Sequence, residues 1–157
     1  MPIVALGYMG IRSQALADWS DYAGRLLGMQ KVDSGGGSMA FRMDDWRQRL
    51  VVIDEGGDEF AFMGWQVADP SDLDGMAARI EGAGIAVTEA GRALCDQRFV
   101  ERMIHFDDPD GNRVELFANP RLATDPFSPG RAIEGFLTGP YGICLLYTSP
   151  SPRDDEL

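Results

Sequence analysis

The chain has 157 residues, with 14 basic against 25 acidic side chains and a formal charge of −11, which is enough for about one domain with a real core. No apolar run approaches the ~20 residues of a membrane span, and no basic stripe suits nucleic acid or anionic lipid. Met1-Pro2-Ile3-Val4 lacks the features of a signal peptide, and two cysteines make no disulfide framework, so the expectation is a soluble protein of a reducing cytoplasm.

Val4 to Ile11 reads as a buried first strand. Ser13 is placed to cap a helix in which Leu16, Trp19, Ala23, Leu26 and Leu27 recur at helical spacing, and Gly28 supplies a left-handed stop. Met29 to Val32 is a short strand and Gly35-Gly36-Gly37 a loop. That loop is no phosphate cradle, because no Lys-Ser/Thr and no helix follows it. Met39 to Met43 pairs with Leu50 to Ile53 across Asp44-Asp45.

The same order then returns. Phe60 to Val67 is a strand, and Asp69 or Ser71 caps a helix with an apolar face of Leu73, Met76, Ala77 and Ile80, closed by Gly82 and Gly84. Ile85 to Val87 is extended and Arg92 to Arg98 a short helical turn. Within that turn Cys95 reads as a small packing side chain rather than a nucleophile, since nothing places the single His beside it. Met103 to Phe106 and Val114 to Phe117 flank Asp108-Pro109-Asp110-Gly111-Asn112, a hairpin turn by its Pro, Gly and Asn. Asp107, Asp108 and Asp110 suit a solvated turn better than a Ca²⁺ loop. Glu115 interrupts the apolar residues of the second strand, so it faces either solvent or a site.

An offset of 54 superposes Gly10 on Gly64, Trp19 on Leu73, Tyr22 on Met76, Ala23 on Ala77 and Leu26 on Ile80. An offset of 64 then superposes Arg49 on Arg113, Leu50 on Val114 and Val51 on Glu115, and His105 on Phe41. Two such units cannot each bury a sheet face alone, which predicts an α+β fold of two paired βαβββ modules around one shared groove.

The Asp-Pro-Asp-Gly-Asn turn followed by Val114-Glu115-Leu116 resembles the vicinal-oxygen-chelate superfamily of glyoxalases, bleomycin-resistance proteins and extradiol dioxygenases. Leu6-Gly7-Tyr8-Met9-Gly10, Phe41 to Asp45 with Arg49 to Val52, Arg98 to Phe117, Pro129-Gly130 and Gly135-Phe136-Leu137-Thr138-Gly139 resemble, more narrowly, the amino-terminal domain of type I extradiol dioxygenases and its linker. These enzymes cleave 2,3-dihydroxybiphenyl or catecholic steroid rings. The resemblance implies a vicinal-oxygen-chelate domain over residues 1–119 (modules of about 1–55 and 58–119), and a linker over 120–143 toward a catalytic domain.

In that family only the carboxy-terminal domain holds Fe(II), through two His and one carboxylate that leave positions open for a catecholate and O2. Transferred here by the internal symmetry, the triad falls on Tyr8, about Phe62, and Glu115, so two ligands are absent and no catalytic, cofactor or metal residue is expected. His105, the single His, reads as a structural strand residue rather than a ligand. From Cys144 onward, Cys-Leu-Leu-Tyr-Thr-Ser-Pro-Ser-Pro-Arg-Asp replaces the Gly-X-Gly-His strand the family would show. Residues 144–157 resemble a peptide translated from sequencing-adapter DNA, and their Asp-Asp-Glu-Leu end is no retrieval signal without a signal peptide.

The expected function is therefore the non-catalytic amino-terminal portion of a cytoplasmic Fe(II) dioxygenase that cleaves catechol-type rings with O2. Its partner would be the catalytic domain, with homo-oligomers allowed. A stand-alone binding module or a glyoxalase-like protein is the alternative.

Overall fold

The computed structural model describes residues 3–32, 37–140 and 142–143. The Gly35-Gly36 part of the expected loop and the tail from Cys144 lie outside the described residues. Among the described residues one eight-stranded sheet carries the fold. Its strands are β1 (Ile3–Arg12), β2 (Gln30–Val32), β3 (Ser38–Arg42), β4 (Leu50–Ile53), β5 (Glu59–Val67), β6 (Thr88–Glu89), β7 (Val100–Asp107) and β8 (Arg113–Pro120). They lie in the order β2-β3-β4-β1-β5-β8-β7-β6. The order reads the same from either edge once β1 to β4 are matched with β5 to β8, so the sheet is two copies of one module joined at β1 and β5.

Register makes the duplication residue-specific. On parallel β1 and β4 Gly10 faces Val51, and on parallel β5 and β8 Gly64 faces Glu115. Both offsets read from the sequence are thereby met. One is corrected: His105 faces Glu115 while Ala40 faces Val51, so the counterpart of His105 is Ala40 and not Phe41. Counted between these paired residues, the chain from Ala40 to Val51 is one residue longer than the chain from His105 to Glu115, and this shifts the match.

Two helices cover one face. The first begins at Leu16, and Ser13 does not cap it: its hydroxyl accepts from the Ala15 N–H at 3.2 Å and donates to Asp58. The helix α1 (Leu16–Trp19) widens into a π-helical segment, Ser20–Leu27, and ends at Gly28 with φ 89°. The wider turn moves side chains off the 3.6-residue period. Ala23 is buried against Phe41, Leu50 and Val52, whereas Leu26, expected in the core, is 57% exposed.

Helix α2 (Asp72–Gly82) keeps its period. Leu73, Met76, Ala77 and Ile80 pack on Val67, Ile104 and Leu116. Asp69 supplies the start, accepting from the Ser71 N–H at 2.8 Å while Asp72 accepts from the Asp69 N–H at 3.1 Å. Ile85 to Val87, expected to be extended, joins no strand, and pairing begins at Thr88.

The opposite face is lined by Tyr8, Val51, Phe62, Met103 and Phe117. Register shifts along β1 and β5, between Ile3 and Ala5, Leu6 and Tyr8, and Gly10 and Ile11, add twist and curl the sheet into a groove. Helix α3 (Arg92–Arg98) closes one end of it, with Leu94 and Cys95 packed into the same cluster.

Residues 121–140 run back over the first module. Arg42, 1% exposed, donates to the Asp125 carboxylate at 3.2 Å and to its carbonyl at 3.1 Å. A Cβ on Gly130 would stand 2.4 Å from the Gly24 carbonyl oxygen, which explains a glycine in the Pro129-Gly130 phrase. Gly142 bridges to Leu6.

Candidate functional site

At the centre of the groove the modules exchange aromatics for glycines. Tyr8 faces Gly64 and Phe62 faces Gly10 across β1 and β5. A Cβ on Gly64 would lie 2.3 Å from the Tyr8 ring, and one on Gly10 would lie 2.2 Å from the Phe62 ring. Each ring thus occupies the space its counterpart glycine leaves open. The tyrosine also stacks on Phe117 at 4.9 Å and meets Phe62 edge-on at 6.1 Å.

Glu115 is fully buried beside them, so the solvent-facing alternative is excluded. The Tyr8 hydroxyl donates to its Oε2 at 2.7 Å. Arg98 donates through Nε to Oε2 at 2.9 Å and through Nη2 to Oε1 at 3.1 Å, and Arg113 donates through Nε to Oε1 at 3.0 Å. A carboxylate so far from water requires such partners. The Arg98 guanidinium also lies over the Phe62 ring, 3.8 Å from its centroid. Burial first, and then the negative charge of Glu115, push the Tyr8 phenol well above its ordinary value of 10.0, so it stays a neutral donor.

The three positions on which the family's triad falls, Tyr8, Phe62 and Glu115, therefore do converge. What they surround is the Arg98 guanidinium. The residues present do not fit Fe(II): one donor is a neutral phenol, one is a hydrocarbon ring, and the carboxylate is held by two cations that would repel a third. Among the described residues no group of three or more His, Cys, Asp or Glu is placed to hold a metal.

His105 faces Glu115 across β7 and β8. Burial and then Arg113 hold its imidazole below 6.5, which favours the neutral ring. Cys95 is buried and burial raises its thiol, consistent with a packing role. Asp108 accepts from the N–H groups of Asp110 at 2.9 Å and Asn112 at 2.8 Å, so its carboxylate serves the turn.

Sequence reasoning missed Arg98 and Arg113 as partners of Glu115. Arg113 was accessible to it, because residues two apart on a strand share a face. Arg98 was not, because it is delivered by the end of α3, where Phe99 adopts φ 55° and turns the chain into β7.

The groove beside this cluster has a volume of about 650 Å³, with Arg12, Gln48, Phe62, Leu94, Arg98 and Arg113 on its walls.

Residues 6–55 match the family model described as "Dihydroxybiphenyl dioxygenase BphC D1". The chain is 39% identical over 155 residues to a biphenyl-2,3-diol 1,2-dioxygenase of Sphingomonas paucimobilis, an alignment covering 96% of the chain and 52% of that relative. It is 40% identical to a 1,2-dihydroxynaphthalene dioxygenase of Sphingobium xenophagum, covering 90% and 49%. Among solved structures, a catechol 2,3-dioxygenase superposes with a TM-score of 0.86 at 38% identity, covering 90% of this chain and 49% of that one. The chain spans about half the length of the curated relatives it matches. It is thus a relative of the extradiol ring-cleaving dioxygenases, built on the fold of their amino-terminal domain.

Proposed function

We infer that this chain acts as the non-catalytic amino-terminal domain of a cytoplasmic, Fe(II)-dependent extradiol dioxygenase for catechol-type rings such as 2,3-dihydroxybiphenyl. Residues 1–119 form the domain, 120–143 lead toward a catalytic domain, and 144–157 are a translated adapter sequence. The observation that carries the reading is the Arg98 guanidinium held between Glu115 and Phe62, where the resemblance puts the metal. A domain that keeps the curled sheet but fills its centre with an internal cation is suited to packing and positioning. When bound in the catalytic domain, Fe(II) would supply joint coordination of catecholate and O2.

The test is anaerobic reconstitution of the 157-residue chain with Fe(II), followed by iron analysis and assay of 2,3-dihydroxybiphenyl cleavage. Neither bound iron nor turnover is expected, and about one iron per chain overturns the reading. Sequencing the encoding DNA past Ile143 adds a second test: an open frame with a His codon soon after the linker is expected. A stop codon there favours the second reading, a stand-alone module that holds a ligand in the groove of about 650 Å³.

A further inference from the structure

The cluster around Glu115 does not balance its own charge. Arg98 and Arg113 bring two positive charges to one buried carboxylate, and Tyr8 remains neutral. Arg113 holds Glu115 through Nε alone, and its Nη2 is buried without a hydrogen bond. That atom is closed to solvent, and the part of Arg113 open to the groove is the remainder of its guanidinium, on a side chain 33% exposed. Both arginines line the groove, whose other walls include Phe62, Leu94 and Phe99. Arg12, further along, is already paired with Glu59. Glu55 is exposed at the rim, where water and salt screen it.

We propose that this groove binds an aromatic carboxylate, with the carboxylate on the exposed part of the Arg113 guanidinium beside Arg98 and the ring system against Phe62, Leu94 and Phe99. A volume of about 650 Å³ falls within the range that takes a two-ring molecule. An arginine open to the groove gives such an anion a charge-assisted hydrogen bond, whereas a neutral ring gains only the apolar walls. The inference stands on this charge count and is independent of whether the chain belongs to a dioxygenase.

The test is titration calorimetry on the full chain with biphenyl-4-carboxylate, biphenyl-4-methanol and inorganic phosphate. Saturable 1:1 binding of the carboxylate is expected, at least tenfold tighter than either of the others and weakened by added KCl. Arg113→Leu should lower affinity at least tenfold. Leu94→Trp, which narrows the groove from the α3 side and leaves Arg113 in place, should lower it as well and keeps the test decisive if Arg113→Leu folds poorly. Absence of saturable binding, equal binding of the alcohol or of phosphate, or unchanged affinity in the folded variants would each overturn the proposal.

Discussion

Tyr8 and Glu115 stand 107 residues apart in sequence and 2.7 Å apart in space, phenol to carboxylate. The pair ties the first strand of one module to the last strand of the other, so it reports on whether the modules have joined.

Tyr8→Phe keeps the ring and its stacking on Phe117 and removes only the donor. The expected cost is about 1.5–3 kcal/mol, the range for a hydrogen bond to a charged group, read from urea unfolding; an unchanged midpoint would show that the bond contributes nothing. The phenol also carries a pH signature. Its folded value lies above the 10.0 of the unfolded chain, so the stabilisation is complete below pH 10 and declines as pH rises from there toward the folded value. Stability of the wild type should fall on that alkaline side more steeply than stability of Tyr8→Phe.

Arg98→Met retains the stem over Phe62 and deletes the charge. Glu115, with no exposure, is then left to Tyr8 and Arg113, and a loss of about 3–5 kcal/mol is expected. Adding Glu115→Gln in the same chain should recover part of that loss, because the carboxylate charge left short of a partner is gone. A double-mutant cycle measures the recovery, and strict additivity would show the two groups to be uncoupled.

Gly64→Ala and Gly10→Ala test the exchange of rings for glycines. Ideal Cβ atoms at these sites meet Tyr8 at 2.3 Å and Phe62 at 2.2 Å, so each variant must push a buried ring aside at about 1–3 kcal/mol. Gly75, whose added Cβ meets nothing within 4 Å, is the control: Gly75→Ala lies in α2 and should hold or raise the melting temperature.

A triple variant, Tyr8→His with Phe62→His and Arg98→Ala, asks whether the centre is a metal position occupied by a guanidinium. With Glu115 it would offer two imidazoles and a carboxylate. Co(II) titration followed by visible absorption should show one site per folded chain and none in the wild type. A folded triple variant that binds no more Co(II) than the wild type would show that the three positions are not a ligand set.

The parts of this fold legible in sequence were those set by local period and turn chemistry. α2 kept a 3.6-residue face, and Asp108 to Asn112 dictated their turn. The repeat was visible because Gly10 and Gly64 occupy the same register position, each beneath the other module's ring. The π-helical widening after Trp19 was not legible, because its i, i+5 bonds leave the apolar pattern looking helical. The partners of Glu115 were only half legible: Arg113 shares its strand, whereas Arg98 depends on a left-handed Phe99 that no propensity favours.

The duplicated order also puts the shortest strands outermost, three residues in β2 and two in β6. Such stubs expose few unpaired amides and carbonyls, so a neighbouring chain finds little backbone to extend. Any assembly of this protein would have to be cemented by side chains, through the flanks of the sheet rather than its borders.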